Sequence, residues 1–245
     1  MVEKEWFTDW FDSQYYHLLY NNRDESEAEK FVAALVAQLN LPKGLKVLDV
    51  ACGKGRHAKT LQKLGFDVTG IDLSENSIAY AKQFENEHLH FVRWDMRQTF
   101  RPKHFDWAVN LFSSFGYLPS DEDNLVALKA IAANLKPNGI FVLDYMNAEW
   151  VVKQMKPREI LQRSNIQFHI QKKIADGFVV KNIQFVNEEG ANFEFEEKLR
   201  IIHLQTFQNL CKDAGLVIEN VWGDYELQTF NAASSPRIIL QCCKL

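Results

Sequence analysis

The sequence has no surplus of basic charge: 28 lysines and arginines stand against 32 aspartates and glutamates, a formal charge of −4 over 245 residues. Nothing in that balance would neutralise a phosphate backbone, so nucleic acid is not expected as substrate or partner. Long apolar runs are missing as well. None approaches the roughly 18 residues that a membrane-spanning helix requires. The opening stretch from Met1 to Trp10 is acidic and aromatic rather than basic and then apolar, so no leader is expected. The reading is a protein of the cytoplasm with no membrane partner. Cysteine is scarce: Cys52, Cys211, Cys242 and Cys243 form no C-x-x-C pair and no disulfide framework. Free thiols in a reducing compartment follow, with no bound metal. Neither an internal repeat nor a low-complexity segment is present.

What is present is a 47% hydrophobic content on a length that supports one substantial core. Apolar residues recur at helical spacing from Ser26 to Leu39, before Pro42 and Gly44 break the pattern. Strands and helices then alternate. Strands are expected at Lys46 to Val50, Asp67 to Ile71, Leu89 to Arg93, Phe105 to Leu111 and Gly139 to Tyr145. Helices are expected at His57 to Leu64, Ser77 to Asn86 and Glu122 to Leu135. Such alternation implies an α/β fold, a doubly wound and mostly parallel sheet covered on both faces.

After about residue 160 the period changes. Ile166, Phe168 and Ile170 alternate with polar residues, Asp176-Gly177 reads as a tight hairpin turn into Phe178 to Val186, and a further turn at Glu188 to Gly190 leads into Phe193 to Ile202. This predicts an inserted three-stranded antiparallel sheet over residues 155–203. A helix at Gln205 to Ala214, stopped by Gly215, and strands at Leu216 to Val221 and Pro236 to Cys242 return the chain to the main sheet. The parent domain is therefore expected to comprise residues 1–154 and 204–245, with seven strands and an N-terminal helical lid. The insert serves as a lid, a wall for the substrate or a homodimer interface, three roles that the sequence leaves open.

The first strand runs into Val47-Leu48-Asp49-Val50-Ala51-Cys52-Gly53-Lys54-Gly55-Arg56-His57-Ala58. Glycines at such a strand-to-helix turn let the backbone bend sharply and approach a ligand. Gly53, Gly55 and Ala58 also satisfy G-x-G-x-x-A, a dinucleotide pattern of low specificity. Asp49 separates the two readings, because a carboxylate there repels a pyrophosphate and attracts an ammonium group. The second strand leads to Asp72, 19 residues after Gly53, where an acid can accept both hydroxyls of a ribose. The third leads to Trp94-Asp95-Met96, an acid for an adenine amino group beside an apolar side chain for its ring. Each residue also has a plainer reading: Asp49 and Asp72 as helix caps, the glycines as turns.

With these elements in order from Val47 to about Asp144, the sequence resembles the class I S-adenosylmethionine-dependent methyltransferases of the Rossmann-like, small-molecule type. Ala51 stands where the first glycine of the motif is usual, a departure that is acceptable if its φ is negative. Asn110-Leu111-Phe112-Ser113-Ser114-Phe115-Gly116-Tyr117 looks like the fourth motif, without the Asn-Pro-Pro-Tyr signature associated with DNA bases or glutamine. The resemblance implies S-adenosylmethionine as cofactor, with S-adenosylhomocysteine as product. The cofactor residues implied are Tyr20, Arg23, Asp49, Ala51, Cys52, Gly53, Gly55, Arg56, His57, Asp72, Leu73, Ser74, Asp95, Met96, Asn110, Leu111 and Phe112. An NAD(P)-dependent oxidoreductase and a non-catalytic S-adenosylmethionine-binding module remain as alternatives.

Methyl transfer from a sulfonium is an in-line displacement whose leaving group is built into the donor, so the protein's main tasks are alignment and water exclusion. Candidate catalytic groups are His17, Tyr20 and Asp144. The acceptor, a small molecule, is expected among Tyr15, Tyr16, His17, Tyr20 and Arg23, the loop Phe115 to Tyr117, and Asp144 to Asn147. His169 and His203 are further candidates from the insert. The aromatic N-terminal segment reads either as a lid or as an amphipathic helix on the core.

Overall fold

The structure is a computed structural model that describes residues 10–20 and 25–245. Within these bounds the chain forms helices α1 (Gln14–Leu19) and α2 (Glu25–Leu39), then the alternating series β1 (Lys46–Val50), α3 (Arg56–Lys63), β2 (Asp67–Asp72), α4 (Glu75–Ala81) and β3 (Leu89–Arg93). The series continues with β4 (Phe105–Asn110), α5 (Asp121–Asn134), β5 (Leu135–Met146) and a short α6 (Ala148–Gln154). Strands β6 (Arg158–Arg163), β7 (Ile166–Ala175), β8 (Phe178–Val186) and β9 (Asn192–Arg200) follow, then α7 (Leu204–Asp213), β10 (Leu216–Trp222) and β11 (Arg237–Lys244).

The seven-stranded sheet has the order β10-β11-β5-β4-β1-β2-β3. β11 runs antiparallel to both its neighbours, and the pairs from β5 to β3 are parallel. The doubly wound, mostly parallel sheet expected from the alternation is thus present. The strand order reverses at β1 and β4, so their carboxyl ends open the crevice where such sheets bind ligands. Alternating side chains feed two cores. Leu48 and Val50 join Phe141, Leu143 and Phe207 on one face, while Val47, Val68 and Trp107 pack with Phe31, Leu35 and Leu61 on the other.

The inserted sheet has four antiparallel strands, in the order β6-β7-β8-β9, rather than the three expected. The missing strand, β6, is an edge strand of half-exposed and exposed residues, and Arg-Glu-Ile-Leu-Gln-Arg carries too little apolar alternation to be read as one. α6 was not anticipated either. Asn147 starts it, its side chain accepting from the Glu149 N–H at 3.2 Å. One face of the insert, Ile166, Phe168, Ile170, Ile183 and Phe185, packs against Trp10 and Leu19 to form a third core. The base of the insert is tied to the parent domain. Arg200 N–H donates to Gly116 O at 3.0 Å, and the Tyr145 hydroxyl donates to Arg200 O at 2.6 Å.

Candidate active site

At the end of β1 the chain turns through three left-handed residues, Ala51 (φ 56°), Gly53 (φ 54°) and Gly55 (φ 77°), before α3 begins. Glycine is required at Gly55, where a Cβ would lie 2.5 Å from the Phe91 ring. The negative φ that would make alanine at position 51 strain-free is not met, so Ala51 bears the steric cost of its methyl in left-handed backbone.

Two carboxylates sit beneath this turn. Asp72 spans it, accepting from Gly53 N–H through Oδ2 and from Ser74 N–H through Oδ1, both at 2.8 Å, while burial raises its pKa. Asp49 is fully buried on β1, where burial pushes its pKa up to about 7 against the pull of a hydrogen bond from the Ala58 amide, and neighbouring Asp72 adds repulsion. Asn110, buried on β4, donates to Val50 O at 2.9 Å. Among the described residues, Asp49 Oδ2 and Asn110 Oδ1 are buried without a hydrogen-bond partner. Two orphaned acceptors under a glycine turn suit a cationic, proton-donating ligand group and disfavour a pyrophosphate.

After β3, Asp95 is gripped by Arg97, whose Nε and Nη2 lie 3.0 and 2.7 Å from Oδ2. Burial alone would raise the Asp95 pKa, but the Arg97 hydrogen bonds outweigh it and hold the carboxyl below its usual range. After β4, Phe112 (φ 61°) and Ser113 (φ 60°) are both left-handed. The Phe112 ring stacks on His57 and Tyr225 at 4.9 and 5.0 Å, with the Arg56 guanidinium 4.4 Å from its centroid.

The N-terminal segment covers this floor. Asp12 accepts from Ser74 Oγ at 2.7 Å and from the Asn76 amide at 2.9 Å, fastening the segment to the start of α4. His17 Nε2 lies 3.5 Å from Ser77 Oγ, and burial and then Lys54 lower its pKa to about 4, against the raising effect of Asp12. Tyr20 turns toward the insert, its hydroxyl donating to both oxygens of buried Glu197 at 2.8 Å. Trp10 Nε1 donates to the same carboxylate at 2.6 Å, and Lys181 Nζ lies 3.1 Å from it.

Floor and roof enclose a cavity of about 470 Å³, within the range of small-molecule sites. Of the residues singled out in the sequence, it is lined by His17, Tyr20, Ala51, Cys52, Gly53, Arg56, His57, Asp72, Leu73, Ser74, Asp95, Met96, Leu111 and Phe112, together with Tyr16 and Tyr117. Asp49, Gly55 and Asn110 lie beneath the lining. Arg23 falls outside the described residues. Asp144 is not at the cavity, contrary to its candidacy as a catalytic acid: it is completely buried, Arg237 and the Phe112 amide occupy its oxygens, and no route to an acceptor remains. Asn147 is likewise spent on Ala232 O and Ser235 O. Tyr15 packs on Phe185 and Phe193, and Phe115 is buried against Phe207. His169 and His203 are exposed away from the cavity. The lining adds residues that the sequence reading did not select, among them Phe11, Lys54, Ser77, Tyr80 and Arg97. Lys54 and Arg97 carried a usable signal, since each sits within two residues of a motif position.

A family model described as a methyltransferase domain matches residues 20–221, most of the chain. The chain belongs to this methyltransferase family. Among its relatives, the candidate methyltransferase YqeM of Bacillus subtilis is 26% identical over 216 residues, 84% of this chain and 87% of that protein. A dTDP-3-amino-3,4,6-trideoxy-alpha-D-glucopyranose N,N-dimethyltransferase of Streptomyces venezuelae is 34% identical over 131 residues, and the match spans 53% of this chain and 54% of that enzyme. A solved S-adenosylmethionine-dependent methyltransferase of Clostridium acetobutylicum superposes with a TM-score of 0.79 over 94% of this chain and 96% of that one, at 19% identity, a likeness of fold. The methyltransferase described here is S-adenosylmethionine-dependent.

Proposed function

We propose that the protein methylates the nitrogen of a small-molecule amine in the cytoplasm. The observation that carries this reading is the composition of the cavity lining, where Phe11, Tyr16, Tyr20, Phe112 and Tyr117 stand together with the carboxylates Asp72 and Asp95. Methylating a neutral amine leaves a cation, and aromatic faces stabilise a cation at close range. The Streptomyces venezuelae relative, an N,N-dimethyltransferase named for an amino sugar, supports the same acceptor class.

Bound S-adenosylmethionine supplies an electrophilic methyl on a sulfonium. From beneath the lining, Asp49 and Asn110 Oδ1 would favour the donor's ammonium electrostatically, while Asp72 would hold its ribose hydroxyls and Met96 and Leu73 its ring. Asp95, already chelated by Arg97, would share an oxygen with the adenine amino group. His17, with its pKa near 4, stays neutral at physiological pH, so it adds no cation beside the sulfonium and is too weak a base to deprotonate an ordinary ammonium. The acceptor therefore arrives as free amine, and the roof of Phe11, Tyr16 and His17 excludes water around it.

The test is S-adenosylhomocysteine formation across panels of amino sugars, amino acids, phenols and thiols. Turnover with amines alone is the expected result. Turnover with phenols or thiols but not amines would overturn the acceptor class. A thermal shift with an oxidised nicotinamide dinucleotide and none with S-adenosylhomocysteine would overturn the cofactor assignment.

A further inference from the structure

Phe112 and Ser113 are consecutive non-glycine residues in left-handed backbone, where each side chain crowds its own carbonyl. Such strain persists only where the surroundings over-determine it. Here the surroundings are two residues that do not line the cavity. Asp144 on β5 accepts the Phe112 amide through Oδ2 at 2.7 Å, and its backbone carbonyl accepts the Ser113 amide at 3.1 Å. Arg237 on β11 donates from Nε to Asp144 Oδ1 at 2.8 Å and from Nη2 to Ser113 Oγ at 2.9 Å. One guanidinium therefore clamps the carboxylate to the strained turn, a bridge that needs the planar fork of arginine and that a lysine ammonium cannot reproduce.

We infer that Arg237, acting with Asp144, is a positioning residue for the methyl-donor site: the pair holds Phe112 and Ser113 left-handed so that the Phe112 ring stands as a fixed wall of the cavity. Leu111, Phe112 and Ser114 all line the cavity, whereas Ser113 does not, so the braced residue is the hinge of a wall that borders the cavity on either side. Tyr225 completes the setting. Its ring stacks on Phe112, and its hydroxyl lies 3.4 Å from Asp144 Oδ2. The inference rests on the donor reading of the cavity but concerns how its wall is held.

The experiment compares the wild type with Arg237→Lys, Ser113→Gly and the double variant, measuring S-adenosylhomocysteine affinity by calorimetry at 10 °C and amide exchange of residues 112–113. Arg237→Lys should weaken binding about tenfold and speed exchange at the two amides by at least as much. Ser113→Gly, which removes strain at the hinge together with the Oγ that Arg237 holds, should weaken binding less than Arg237→Lys does, and in the double variant it should restore binding to within about threefold. A purely structural ion pair predicts a lower Tm for Arg237→Lys with unchanged affinity while the protein remains folded, and that result would overturn the proposal. So would a double variant that binds no better than Arg237→Lys. Failure of the wild type to bind S-adenosylhomocysteine would count against the cofactor assignment instead, and the exchange rates would then test the brace by themselves.

Discussion

The floor of the cavity is assembled from residues close in sequence, Ala51 to Gly55 and Asp72 to Ser74, whereas its roof depends on contacts across most of the chain. Tyr20 meets Lys181 161 positions away and Glu197 177 positions away. The floor is held by backbone geometry, with left-handed residues, a short turn and amides caught by Asp72. Side chains converging on one buried carboxylate hold the roof. A fault in the floor should therefore remove donor binding and stability together. A fault in the roof should loosen the segment over residues 10–20 while the floor persists. Substitutions that act on one wall alone test this division.

The largest effect is expected in the floor at Gly55→Ala. The added Cβ meets Phe91 at 2.5 Å in a backbone of φ 77°, so the left-handed penalty and overpacking combine to roughly 5 kcal/mol. Thermal unfolding and S-adenosylhomocysteine titration should show both losses. Near-normal binding in a destabilised protein would mean that the turn is less critical to the donor site than its geometry implies.

Asp49→Asn should act in the opposite direction, and only above acid pH. The folded pKa of Asp49, about 7, lies above its ordinary 3.8, so between these values the unfolded chain has lost a proton that the native state keeps. Stability attributable to this group falls as pH rises from about 4 to 7, and the full cost stands above 7. The amide variant escapes that cost, gaining up to about 4 kcal/mol at pH 8 and nothing at pH 4 or below. Urea unfolding at the two pH values measures the difference. Adding S-adenosylhomocysteine should shrink the gain, because the ligand's ammonium compensates the wild-type carboxylate.

On the roof, Glu197→Ala should cost about 2–3 kcal/mol, since it removes the buried carboxylate that accepts from Trp10 and Tyr20 and pairs with half-buried Lys181. Burial alone would raise the Glu197 pKa, but Lys181 and the two hydrogen bonds hold it below its usual range. Its stabilisation is therefore present above the unfolded value of about 4.5 and is lost as pH falls through the lower folded one. Limited proteolysis should cut the variant within residues 10–20 before the parent domain unfolds. Simultaneous unfolding of both parts would show that roof and floor are one cooperative unit.

The same division explains what was legible in the sequence. The positions of Asp49, Gly53 and Gly55, of Asp72 and of Asp95 near the cavity were legible because they fall at the carboxyl ends of the first, second and third strands, which the 3.6- and 2-residue periods locate. Partners that come from distant strands leave no such trace. Nothing near Tyr20 announces Glu197, and the clamp of Arg237 on Asp144 joins residues 93 positions apart, turning a presumed acid of the active site into a buried brace. β6 is not legible because its half-buried positions, Glu159, Leu161 and Arg163, include a single apolar residue, so its alternation in burial is not one of hydrophobicity. The positive φ at Ala51 is not legible either, because an alanine gives no local hint of left-handed backbone.

Ala51→Gly, the smallest expected effect, tests the floor at its one mismatched residue. Alanine at φ 56° costs about 1–2 kcal/mol relative to the right-handed region, and glycine would remove that cost. Glycine also widens the unfolded ensemble, which takes back roughly 0.5–1 kcal/mol. The balance favours the variant by about 1 kcal/mol or less, read as a higher denaturant midpoint at unchanged slope. Donor affinity should stay within about twofold, because the turn keeps its shape and only its strain changes. A lower midpoint would mean that packing of the alanine methyl outweighs the strain, and the floor would then be held by side-chain contact as well as by backbone geometry.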